Sequence, residues 1–324
     1  MNESNYILGV DIGGTSVKIG VVKNGEVFES TSIRNLFKGN PSLLTSGIKD
    51  ICDTYILKYN INKIGVGCPG DIFNGIVVFA SNLGWKNYDI LTDFKKTFPN
   101  CDILIDNDGN TSCQAEIRFG KLNNVSDGLF ITIGKGIGGA IIIENKIFHG
   151  MHNQGGRFGH MVIHTNGRKC NCGRSGCYET YASVAGLLNT VKEVNSRWPR
   201  INERVNAYKL SGFQIVKLIQ QKNQIAIEAL KKWHNDVAEG LLNLCHIFDP
   251  STIVIAGGIT ESGLLDLNFI KTYLKEYGYE DCDVFLATFK GKTGLVGAAC
   301  LFECAGHGIN LASESLVTGI YRQV

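Results

Sequence analysis

Two stretches of this chain share one form: an apolar strand, a glycine-rich turn and a second apolar strand. The first runs from Tyr6 to Val22 around the turn DIGGT, and the second from Gly128 to Ile143 around GKGIGG. A chain that repeats this unit is expected to fold as two related halves that face a cleft. Its 324 residues agree, because single hydrophobic cores stop growing near this size.

The order of elements predicts an α/β fold. After the Asn24-Gly25 hairpin turn, helical spacing runs from Pro41 to Tyr59, and strands are predicted over Lys63 to Cys68 and Asp102 to Ile105. Helices are predicted over Tyr88 to Thr97 and Asn110 to Arg118. Near Gly120 the pattern restarts with the second strand pair and a hairpin turn at Asn145-Lys146. Helical spacing then covers Thr180 to Ser196, Phe213 to Lys222, Gln224 to Phe248, Asn268 to Tyr277 and Gly294 to Cys304, with strands at Thr252 to Ala256 and Val284 to Ala287. A last helix is expected over Leu311 to Tyr321.

The formal net charge of +2 and a charged content of 19% give no reason to expect nucleic acid as a partner. No run approaches the length of a membrane span, and the N-terminus has no basic and apolar leader pattern. A soluble, cytoplasmic protein without a membrane partner is expected. Eight of the 11 cysteines are scattered, mostly in apolar runs, as reduced core thiols are.

The other three cluster. Cys170, Cys172 and Cys177 follow His160, with Gly173 and Gly176 between the last two. Three thiolates and an imidazole make a tetrahedral zinc set with no open position, which is structural rather than catalytic.

The glycine turns carry the other chemistry. Adjacent glycines let backbone N–H groups converge on an anion with no Cβ in the way. Gly13 and Gly14 do this in the first turn, Gly134 and Gly136 in the second, and Gly257 and Gly258 in a third, IAGGI, which ends a buried strand. Thr15 adds a hydroxyl, Lys18 and Lys135 add positive charge, and Asp11 can hold Mg²⁺ through water. Asp106-Asn107-Asp108 ends a strand, where carboxylates face the cleft in α/β sheets. These residues either supply a general base or cap the following helix. Asn82, in SNLGW, either binds a sugar hydroxyl or caps a turn.

These motifs resemble the ROK family of sugar kinases and repressors, in the superfamily of hexokinases and actin. The likeness extends from GVDIGGT to LVGAA and is most specific from Gly159-His160 through CNCGRSGCYE. It implies two actin- and hexokinase-like (ribonuclease H-like) α/β domains around a cleft. The smaller would take residues 1–118, with a C-terminal helix over about 305–324 packed back on it, and the larger residues 119–304 with the zinc loop. It further implies ATP-dependent phosphorylation of a hexose hydroxymethyl, with Mg-ATP on the glycine turns and Asp108 as general base. Asn82, Asn107, His160 and Glu179 would contact the sugar, and the assembly would be a homodimer.

Two positions depart from the family pattern. Arg157 stands where the family has a glutamate that holds sugar hydroxyls, and Lys135 where it has a threonine. Arginine exchanges an acceptor for donors and reverses the charge, which suits an anionic or substituted sugar. A plain hexose or N-acetylhexosamine substrate with a substitute acceptor is the second expectation. A catalytically impaired sugar-binding or regulatory protein is the alternative. A DNA-binding segment ahead of DIGGT, as in the family's repressors, is not expected.

Overall fold

The computed structural model describes residues 6–207 and 210–304. Its first lobe is built on β1 (Ile7–Ile12), β2 (Ser16–Lys23) and β3 (Glu26–Arg34), then α1 (Leu44–Tyr59) and β4 (Lys63–Cys68). A small sheet follows, of β5 (Asp71–Phe73), β6 (Ile76–Ala80) and β7 (Trp85–Asp89), with α2 (Ile90–Thr97), β8 (Asp102–Asn107) and α3 (Asp108–Phe119) after it. The second lobe has β9 (Gly128–Ile133), β10 (Ile137–Ile143) and β11 (Lys146–Ile147), then α4 (Glu179–Ala182), α5 (Val184–Arg197), α6 (Gly212–Gln220) and α7 (Gln224–Phe248). It ends with β12 (Thr252–Ala256), α8 (Gly258–Glu261), α9 (Leu267–Glu276), β13 (Asp283–Leu286) and α10 (Thr293–Cys304).

The two main sheets have one topology. Their strand orders are β3-β2-β1-β4-β8 and β11-β10-β9-β12-β13. In each, an antiparallel meander joins two further strands that run parallel to the first. The expected α/β halves are therefore present, and the duplication extends to strand order. Separate cores serve them. Leu8, Ile48, Val66 and Phe94 lie in one, and Ile131, Leu187, Trp233 and Leu241 in the other.

Local chemistry explains where strands turn. Asn24 and Gly25 both have positive φ, 51° and 78°, as a two-residue primed hairpin requires. The corresponding turn of the second lobe is Glu144-Asn145, one residue earlier than expected, because Ile143 pairs with Lys146. The predicted helix over Thr180 to Ser196 is broken. Ser183 is extended (φ −82°, ψ 175°), and its side chain caps α5 by accepting from the Gly186 amide at 3.0 Å. Likewise α2 starts at Ile90 rather than Tyr88, because the Asp89 side chain accepts from Thr92 N and caps it.

The sequence reading groups Gly294 to Cys304 with the second lobe. That helix instead packs on the first sheet, where glycines let its backbone approach. A Cβ on Gly65 would lie 1.8 Å from the Ala298 carbonyl oxygen, and one on Gly9 2.4 Å from that of Leu295. The expected helix over 305–324 lies outside the described residues. Among the described residues, no helix is long and apolar enough to cross a membrane.

Candidate active site

All three glycine turns sit at strand ends. The first closes on itself through Gly13 N–H to Ser16 O at 2.8 Å, and the second through Gly134 N–H to Gly136 O at 2.9 Å. Gly257, at φ 111°, lies against the Ile133 carbonyl, so the third turn abuts the second. Cβ positions built on Gly134 and Gly258 meet nothing within 4 Å, so both glycines border open space. Lys135 Nζ donates to Thr15 Oγ1 at 2.6 Å and joins the first two turns across the lobes.

Asp11, next to last in β1, lies beside the first turn of α10, where a Cβ on Gly294 would lie 2.5 Å from its carboxyl carbon. Burial pushes its carboxyl up, against the opposing charge of Lys18 at 3.5 Å. The N-terminal end of α10 also favours a negative charge there. Lys18 donates in addition to Gly291 O at 2.9 Å, so it is tied to Asp11 and α10.

The Asp106-Asn107-Asp108 run divides its work. Asp106 is buried and fully engaged. Its Oδ1 accepts from Asn107 N (2.7 Å) and Asn110 Nδ2 (3.1 Å), and its Oδ2 meets His149 Nε2 at 3.0 Å. Asn107 caps α3 through Gly109 N and donates to Gly70 O, each at 2.8 Å. Asp108 accepts from the Gly109 amide at 3.0 Å, with no other side chain bonded to it among the described residues. Burial, and next the charge of Asp11, push the Asp108 carboxyl up to about 6. A carboxylate tuned toward neutral pH and free of side-chain partners can take a proton from a hydroxyl.

The remaining predicted residues lie beside the glycine turns and at the contact between the lobes. Asn82 is exposed, with its Cβ 3.7 Å from where a Gly14 Cβ would stand. Glu179, at the start of α4, puts Oε2 against Gly136 and accepts from Ile137 N at 3.4 Å. Its Oε1 lies 3.8 Å from His160 Nδ1 and 3.2 Å from Cys170 Sγ. Arg157, 41% exposed, reaches across the cleft to Asp71 Oδ2 at 3.4 Å, where Gln154 Nε2 also approaches at 3.4 Å. Behind Arg157 and His160 opens a pocket of about 510 Å³ with an apolar floor that includes Phe158, Leu244 and Phe248.

The four predicted metal ligands converge, with one donor atom from each all within 4.8 Å of one another. Tetrahedral Zn–S and Zn–N bonds of ~2.3 and ~2.0 Å require donor separations of roughly 3.5–3.8 Å. His160 Nδ1 to Cys170 Sγ is 3.7 Å and Cys172 Sγ to Cys177 Sγ is 3.6 Å, so the donor set fits zinc. With Nδ1 turned to the thiols, His160 keeps Nε2 for other partners.

Sequence reasoning missed Asp71 and His149 as parts of this site. Asp71 follows the Pro69-Gly70 turn that ends β4, but no acidic run or paired glycine marks it. His149 carries no local signal, since its partner is 43 positions away.

The glucokinase of Halalkalibacterium halodurans is 26% identical over 326 residues, covering 96% of this chain and 98% of that protein. The xylose repressor of Bacillus subtilis is 26% identical, covering 86% and 70%. The crystal structure of a ROK family glucokinase from Streptomyces griseus in complex with glucose and AMPPNP superposes with a TM-score of 0.78 at 28% identity, covering 91% of this chain and 98% of that one. The family profile described as ROK family matches residues 7–305, and the chain belongs to that family.

Proposed function

We propose that this protein is an ATP-dependent sugar kinase that phosphorylates a hydroxymethyl of a hexose or hexose derivative, with Asp108 as general base. The observation that carries this is the state of Asp108. Its neighbour Asp106 is consumed by hydrogen bonds, while Asp108 accepts only from the Gly109 amide and is raised to about 6 by burial and the charge of Asp11. The triphosphate lies across the three turns, where backbone N–H groups and Lys135 meet its charge. Asp11 would hold Mg²⁺ through water, and that ion would neutralise phosphate charge. Asp108 takes the proton as the sugar oxygen attacks the γ-phosphorus in line. Asn82, Asn107, His160 and Glu179 orient the sugar. His160, Cys170, Cys172 and Cys177 would hold zinc, which fixes the His160 ring.

Arg157 bears on the substrate. Its guanidinium pairs with Asp71 and offers donors where the family pattern has an acceptor. A sugar carrying an acceptor or anionic group toward Arg157 therefore fits this reading better than plain glucose. We take the first lobe to comprise residues 1–118 together with Thr293–Cys304, the assembly to be a homodimer and the setting to be cytoplasmic. Light scattering tests the dimer.

A second reading is a sugar-binding regulator with impaired catalysis. It is favoured by the Lys135–Thr15 bond, which occupies the gap between two phosphate turns, and by the likeness to a repressor. Asp108→Asn separates the two. A kinase loses sugar-dependent ADP formation but still binds sugar, whereas a regulator has no such turnover to lose.

A further inference from the structure

His149 lies just past β11 in the second lobe and touches the first lobe at the end of β8. Its Nε2 is 3.0 Å from Asp106 Oδ2, and its Nδ1 is 3.2 Å from the Ile147 carbonyl oxygen. Both partners are acceptors, so only the doubly protonated imidazolium donates to both. The hydrogen bond to Asp106 raises the proton affinity of the ring, against the opposing effect of burial. The side chains are 25% and 11% exposed, which makes this a sheltered, charge-assisted contact.

The rest of the loop follows the same course. Gly155 N–H donates to His149 O at 2.9 Å and folds the loop back. Asn153 Nδ2 donates to Ile72 O at 3.0 Å, and Gln154 and Arg157 both reach Asp71 at 3.4 Å. Thus four side chains of one second-lobe loop contact two places on the first lobe. Asn107 joins those two places through its bond to Gly70 O. The other oxygen of Asp106 receives the Asn107 amide and the Asn110 side chain. A single imidazole therefore sits at the root of a hydrogen-bonded ring that passes through Asn107 and Arg157 and carries Asp108 on its edge.

We propose that His149 is a positioning residue. Clamped on Asp106, it holds the Asn107–Asp108 turn of the first lobe in register with the Arg157–His160 loop of the second. The acceptor sugar then meets both sets of contacts at once. This rests on the sugar-binding part of the reading above, and the test keeps the two separable.

The test compares His149→Leu, which removes both donors, with His149→Gln, which retains one toward Asp106. Amide hydrogen exchange on the free protein needs no ligand. His149→Leu should speed exchange at 70–72 and 150–157 by about tenfold, and His149→Gln by less than about threefold. Calorimetry with glucose, N-acetylglucosamine, N-acetylmannosamine and gluconate, each of which carries a hydroxymethyl, gives Kd for the panel sugar that binds tightest. His149→Leu should weaken it about tenfold while the KM for ATP changes less than about twofold, and His149→Gln should restore most of the affinity. Unchanged exchange in His149→Leu overturns the proposal. So does equal damage to sugar and ATP constants in both variants, which marks a general structural role. A wild-type protein that binds a panel sugar but makes no ADP overturns the kinase reading and leaves the exchange and Kd results to decide on His149.

Discussion

The two lobes share a strand order, but the chain leaves that plan at different points in each. In the first lobe the main excursion lies between β4 and β8 and carries Asp71 and Asn82. In the second it lies between β11 and β12 and carries Arg157, His160, the three clustered cysteines and Glu179. The repeated plan supplies two glycine turns facing one another, a device for an anion. The unshared excursions supply the residues proposed to choose and orient the acceptor. On the proposed function, anion binding belongs to the duplication and specificity to what was added to it.

The largest expected effect comes from the single carboxylate that only the first lobe supplies. Asp108→Asn should lower kcat by about 10³-fold with zinc content unchanged. In the wild type, kcat/KM should fall tenfold per unit below about pH 6, since the base must be ionised. The sign for stability is opposite. A carboxyl raised in the folded state binds its proton more tightly there, so its contribution is lost as pH rises from the unfolded value toward about 6. Asp108→Asn should therefore be more stable at pH 7, by on the order of 1–3 kcal/mol in denaturant titrations.

The excursion of the second lobe is tested next. Cys172→Ser should lose the bound zinc in elemental analysis, lower Tm by about 5 °C or more and raise the sugar KM at least ~10-fold. The KM for ATP should change far less. An equal rise in both would remove the division between plan and excursion. Glycines of the shared plan offer a smaller contrast. Gly65→Ala meets the Ala298 carbonyl at 1.8 Å and should cost roughly 1–3 kcal/mol or more. Gly258→Ala meets nothing within 4 Å and should leave Tm alone while weakening the nucleotide. The smallest effect is expected for Lys135→Ala, about a tenfold rise in the KM for ATP from loss of one charged donor.

What could be read from the sequence follows the range of the forces involved. The two hairpins were legible because apolar runs and glycine turns are local signals. Glu26–Arg34 was not, because its residues alternate between half-buried and exposed, so no apolar run marks the strand. The small sheet of β5 to β7 was missed although its signal is local, an Asn74-Gly75 turn with positive φ at both residues followed by the apolar run Ile76–Ala80. Within the site, the convergence of the candidate metal ligands was legible because three of them lie close together in sequence. Asp71 and His149 act through partners 86 and 43 positions away, and no spacing rule reaches that far. The choice between Asp106 and Asp108 also needed the fold, since only packing reveals that Asp106 is spent on His149 and Asn110.

The central claim is that the duplicated turns and the added excursions meet in one phosphoryl transfer. ³¹P NMR of wild type and Asp108→Asn, incubated with Mg-ATP and the sugar panel, tests it most directly. The account predicts ADP and a sugar phosphate in equal amounts from the wild type, and neither from Asp108→Asn although it still binds the sugar. A wild-type protein that binds the sugar and leaves ATP intact, or an Asp108→Asn variant that turns over as fast as the wild type, would contradict it.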